Sequence, residues 1–134
     1  MNKAIEIHDS TLSEILEEGT TIVVSLNKAI IHHSLGEPGI DEGSCWIQLI
    51  DIKLESAQLL NKPEDIPNNL YDGFFKINST KHVNGVDIPL KESGEIEIFF
   101  ETFYRNTLYI KAESIEIIEA GKAEYLQKFK VPNT

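Results

Sequence analysis

Glu95-Ile96-Glu97-Ile98-Phe99-Phe100-Glu101 and, beyond an Arg105-Asn106 turn, Thr107-Leu108-Tyr109-Ile110-Lys111-Ala112-Glu113 are the residues whose reading decides the fold class. Ile96, Ile98 and Phe100 alternate with glutamates, apart from a break at Phe99. Leu108, Ile110 and Ala112 alternate with polar or charged neighbours. Successive side chains on a strand point to opposite faces, so a period of two predicts two strands with one face buried and one wet. Ile115 and Ile117 carry the pattern on until Ala120-Gly121 breaks it. Joined by a short turn, the two runs make an antiparallel meander.

Further toward the N-terminus, Asn84-Gly85 lies between His82-Val83 and Val86-Asp87-Ile88. Both turn residues tolerate positive φ, which predicts a type I′ hairpin. Pro89 has no N–H to donate, so the second arm is expected to be an edge or to end there. Asn61 to Asn69, with Pro63 and Pro67, reads as a loop between two halves of one domain. Trp46 to Leu54 is strand-like, with Ile50, Ile52 and Leu54 in phase and Ile47 and Leu49 in the opposite parity. Either both faces are covered at its start or a bulge near Leu49 shifts the phase.

Ser34 to Ser44 contains Pro38 and three glycines and is expected to be irregular. Ile22 to His32 reads as one bent strand or two. The segment before it reads as strand, Gly19 turn, strand in preference to a helix over Thr11 to Glu18. Residues 122–130 fit a helix through Ala123, Leu126 and Phe129, or a strand through Tyr125, Gln127 and Phe129. About nine short strands with turn signals between them predict a single all-β domain over residues 1–134, mainly antiparallel. Its architecture is a barrel or sandwich built of β-hairpin meanders.

The composition narrows the function. Twelve basic and 22 acidic residues give a net charge of −10, and Arg105 is the only arginine. Neutralising phosphates takes a surplus of Lys and Arg, so nucleic acid and anionic membranes are not expected partners. A single cysteine cannot form an internal disulfide, the N-terminus is interrupted by Glu6 and Asp9, and no apolar run approaches membrane-spanning length. A cytoplasmic protein is expected.

The residues with the most chemistry cluster between Leu26 and Leu54. His32, His33, Glu37, Asp41, Glu42 and Cys45 are all metal-ligand types. Cupin metal sites use two histidines one residue apart before a glutamate, whereas His32 and His33 are adjacent and must face opposite ways on a strand. A metal would need a bend there, or His8 or His82 brought in by the fold, and none is expected. Cys45 beside Trp46 is read as a small buried residue before it is read as a nucleophile.

His8-Asp9-Ser10 holds the residue types of a hydrolytic triad, but consecutive positions do not make one, and a capped turn between two strands is the expectation. No Gly-x-Ser-x-Gly elbow and no phosphate loop is present. The meander glutamates (Glu95, Glu97, Glu101, Glu113, Glu116 and Glu119) read as a solvated face that can meet a basic partner.

His8-Asp9-Ser10-Thr11-Leu12, the Gly19 hairpin, His33-Ser34, Gly36, Pro38-Gly39, Gly43, Trp46 and Gln48 resemble small uncharacterised bacterial all-β proteins over the first half of the chain. Size, acidity and the opening His-Asp-Ser are also similar to immunity proteins of bacterial toxin systems. Neither resemblance implies catalytic residues.

The expected function is therefore a non-enzymatic binding protein whose acidic surface meets a basic protein partner, with no cofactor and no catalytic residues. The alternative is a barrel that binds a small molecule or metal, with enzymatic capacity, at the His33–Trp46 loop. Candidate binding residues are His8, Asp9, His33, Glu37, Asp41 and Trp46. Convergence of His8, His33, Glu37, Cys45 and His82 in one cleft would favour chemistry, and dispersal would favour the binding protein.

Overall fold

Alternating apolar residues give strands throughout the computed structural model, which describes residues 1–130; the last four residues of the expected 1–134 domain lie outside that range. The strands are β1 (Asn2–Glu18), β2 (Thr21–Ser34), β3 (Gly43–Glu55), β4 (Gln58–Asn61), β5 (Asn68–Ile77), β6 (Thr80–Val83), β7 (Gly85–Ile88), β8 (Leu90–Thr102), β9 (Thr107–Glu119) and β10 (Glu124–Phe129). The expected meander is β8 and β9, in register from Ile96 opposite Ala112 to Glu101 opposite Thr107.

β3, β2, β1, β5, β8 and β9 pair antiparallel in that order, and β9 closes back on β3 through Ser114–Glu119 against Ile50–Glu55. A sheet closed on itself has no edge along that path, so of the two expected architectures the fold is the barrel. Its interior holds Ile5, Ile7, Leu12, Leu26, Ile50, Ile52, Phe75, Phe100 and Ile110, all at most 1% exposed.

Two local expectations, at His8–Ser10 and at Asn84-Gly85, are corrected. His8 to Ser10 is not a turn between strands but a bulge within the single strand β1, where Asp9 takes φ 70°. Ser10 is fully buried there. Its hydroxyl donates to the Glu6 carbonyl at 2.6 Å and accepts from the Ile30 amide at 2.9 Å, replacing ladder bonds that the bulge removes.

The phase question in β3 is settled by its neighbour. Leu26 pairs with Ile50 and Ala29 with Gln48, so Asn27 and Lys28 of β2 bulge opposite Leu49. β3 itself keeps even residues inward throughout, and β2 is one bent strand.

Asn84-Gly85 is not a two-residue hairpin turn. β6 pairs with β5 and β7 pairs with β1, and no ladder joins β6 to β7 among the described residues. The two-residue turn lies just before, at Asn78 (φ 48°) and Ser79 (φ 75°). Pro89 falls between β7 and β8, as a missing donor requires. Residues 122–130 contain a strand: β10 runs along the start of β3 from Glu124 opposite Ile47 to Phe129 opposite Gly43.

Candidate functional site

Ladder partners share a face, so the register assigns the two histidines. Ile5 pairs with Ile31 and Ile31 with Trp46, while Lys3 pairs with His33 and His33 with Ser44. Ile5 and Ile31 are in the core, so His33 and Trp46 lie on the inward face at one end of the barrel. Ala4, His32 and Cys45 share the opposite face. The adjacent histidines do diverge, as strand geometry demands. Which one turns inward is set by the Asn27–Lys28 bulge.

On the inward side the His33 ring stacks on Trp46 at a centroid distance of 4.9 Å and an interplanar angle of 20°. Tyr125 meets Trp46 edge-on at 5.4 Å. Lys3 Nζ lies 2.6 Å from Glu119 Oε1 close by. Burial, with the Lys3 ammonium second, holds the His33 pKa below its ordinary value.

On the outward side His32 is 4% exposed. Its Nε2 lies 2.6 Å from Glu6 Oε1 and its Nδ1 lies 3.5 Å from Cys45 Sγ, while Phe129 packs edge-on at 5.0 Å. Thiol, imidazole and carboxylate in that sequence are the parts of an activated nucleophile. Their electrostatics run the other way. Burial and then the Glu6 carboxylate push the Cys45 pKa up, and the thiolate is the form that attacks. The arrangement fixes the imidazole and leaves the sulfur a buried thiol. Among the described residues no group of three or more His, Cys, Asp or Glu side chains is placed to hold a metal ion.

Glu6 and His32 form one wall of a cleft of about 570 Å³. Its opposite wall comes from the divergence of β6 and β7. Asn84 (φ 64°) is the vertex: its amide donates to the Gly73 carbonyl at 2.9 Å and its carbonyl accepts from the Ile7 amide at 2.6 Å. Its side-chain oxygen accepts from the His8 amide at 2.9 Å. One residue thus ties β1 to β5 while the strands on either side part.

The lining carries Glu6, Glu37, Asp87 and Glu92, the imidazoles of His32 and His82, and neither Lys nor Arg. Among the described residues Glu37, Asp87 and Glu92 take part in no ion pair. Half of the meander glutamates, by contrast, are engaged. Glu97 accepts from the Tyr109 hydroxyl and lies 3.6 Å from Lys76, Glu101 lies 3.1 Å from Arg105, and Glu119 holds Lys3.

The residues singled out in the sequence disperse. His33 and Trp46 form the stack at the barrel end. His8 and Asp9 occupy the β1 bulge, where the His8 ring lies 6.0 Å from both Tyr71 and Phe103. Asp41 braces its own loop, with Oδ2 accepting from the Glu37 amide at 2.6 Å.

Glu37 does reach the cleft and His82 joins it, but the histidine between them is His32 in place of His33. Glu6, Asp87 and Glu92 were not read as site residues. The only sequence signal near them was Asn84-Gly85, which marks the vertex. Comparison with protein-family models, curated proteins and solved structures found no match to this chain.

Proposed function

We propose that this protein is a non-catalytic binding protein that takes a cationic segment of a protein partner in the cleft between β6 and β7. The observation that carries the reading is the cleft itself: it is concave, its lining holds four carboxylates and no Lys or Arg, and three of those carboxylates have no ion-pair partner. A basic side chain entering there meets charge that no residue of the cleft neutralises. The net charge of −10 adds long-range attraction for the same class of partner. The resemblance to toxin-immunity proteins is compatible with this reading, since those proteins work by binding.

Calorimetry with a hexalysine peptide at physiological ionic strength, where the Debye length is about 8 Å, tests it. The triple variant Glu37→Gln, Asp87→Asn, Glu92→Gln is compared with Glu14→Gln, Glu17→Gln, Glu18→Gln, which removes the same charge from exposed positions of β1. The cleft triple is expected to weaken binding by roughly tenfold or more and the control by less than about twofold, because Coulomb attraction in water is short-ranged once salt screens it. Equal losses from the two variants would overturn the assignment to this cleft.

A further inference from the structure

The cleft offers more than charge. In an antiparallel ladder, hydrogen-bonded pairs alternate with pairs whose N–H and C=O groups point to the opposite edge. The Ile7 amide donates to the Asn84 carbonyl, which sets the phase between β1 and β7. Stepping along the register, Val86 opposite Ile5 and Ile88 opposite Lys3 are the bonded positions, and Gly85 and Asp87 turn their backbone groups away from β1. Both residues line the cleft, and no strand pairs with that edge of β7 among the described residues.

We infer that the partner segment enters as an extended strand added to the free edge of β7, hydrogen-bonded to the backbone of Gly85 and Asp87, with basic and apolar side chains in alternation. This rests on the acidic-cleft reading above and specifies its chemistry. Strand addition supplies affinity through main-chain bonds and selectivity through alternate side chains. The alternation follows from the two faces of β7. Asp87 pairs with Ala4, on the face that carries Glu6 and His32, so every second side chain of an added strand meets carboxylates. Val86 pairs with Ile5 on the core side, where Ile77 and Leu90 also line the cleft, so the intervening side chains meet apolar surface. β7 is four residues long, so the added segment needs about four residues, or roughly 13 Å of extended chain.

The test uses the full chain and four synthetic peptides: Lys-Val-Lys-Val-Lys-Val, its two forms N-methylated at alternate amides (the lysines or the valines), and hexalysine. Binding is read by calorimetry, and protection of the Gly85 and Asp87 amides is read by hydrogen-exchange NMR. The alternating peptide is expected to bind at least about tenfold tighter than hexalysine. One methylated form is expected to lose that advantage while the other keeps it, with new protection at Gly85 and Asp87. If both methylated forms bind like the parent and those amides gain no protection, strand addition is wrong and the acidic cleft stands. If neither the alternating peptide nor hexalysine binds, both readings fall together.

Discussion

The His33 ring lies flat on Trp46 with the Lys3–Glu119 ion pair beside it, so its protonation carries an optical signature. Burial first and Lys3 second keep its pKa in the folded protein below the ordinary 6.5. The unfolded chain therefore binds that proton more readily. The linked stability is full above pH 6.5 and is lost as the pH falls through the folded-state value. Trp46 is the sole tryptophan, and a stacked imidazolium quenches indole emission. A pH titration of the fluorescence is expected to show its midpoint below 6.5. Lys3→Gln is expected to move the midpoint upward, since the change removes the cation and leaves Glu119, which raises the pKa. A midpoint unmoved by that substitution would show that the ion pair does not act on the ring. The sequence made the opposite orientation of His32 and His33 legible from strand geometry alone. It did not show which ring turns inward, because that parity depends on a bulge at Asn27–Lys28 that no local residue pattern announces.

Strands with strict alternation were the legible elements. β8 and β9 carry one apolar face each, and their pairing follows from it. β10 was ambiguous because nearly all of it is exposed, which leaves no burial period to read. Asn84-Gly85 misled because the positive φ of Asn84 serves a hinge as well as a hairpin, and only the pairing of β7 with β1 and of β6 with β5 decides between them. Gly94 belongs to this level too. It lies in the β8 irregularity between Ser93 and Ile96 and takes φ 131°, and a Cβ there would fall 1.9 Å from Asn78 Oδ1. That Asn78 side chain donates to the Ser93 carbonyl and accepts from the Glu95 amide, locking the β5–β6 turn onto β8. Gly94→Ala must break both bonds and strain the backbone, a loss of roughly 2 to 4 kcal/mol. Gly19 (φ 62°) has open space around its Cα, so Gly19→Ala is expected to cost only about 1 kcal/mol. Urea unfolding ranks the two, and a larger loss at Gly19 would refute the role given to Asn78.

At the scale of the whole molecule, closure and cover are separate jobs carried by consecutive stretches of one edge of β3. β9 closes the barrel on Ile50–Glu55, and the amides of Ala120 and Gly121 donate to the Leu49 carbonyl at 3.0 and 3.2 Å. β10 then continues along Gly43–Ile47, placing Gln127 opposite Cys45 and Phe129 on His32. The Ile115–Ile117 pattern showed β9 as a strand, but nothing in it named β3 as the partner, because closure is a long-range pairing. If closure depends on β9 alone, a chain ending at Lys122 is expected to keep a cooperative unfolding transition. Its stability is expected to fall by roughly 1 to 3 kcal/mol, the scale of burying one large apolar side chain. Cys45 is 4% exposed in the full chain and its thiol pKa is raised, so it is expected to resist a thiol reagent until the protein unfolds. In the shortened chain it is expected to react while still folded. Loss of cooperative unfolding would mean that β10 is needed for closure, and an unreactive Cys45 in a folded shortened chain would mean that the Leu35–Glu42 loop, not β10, is what covers it.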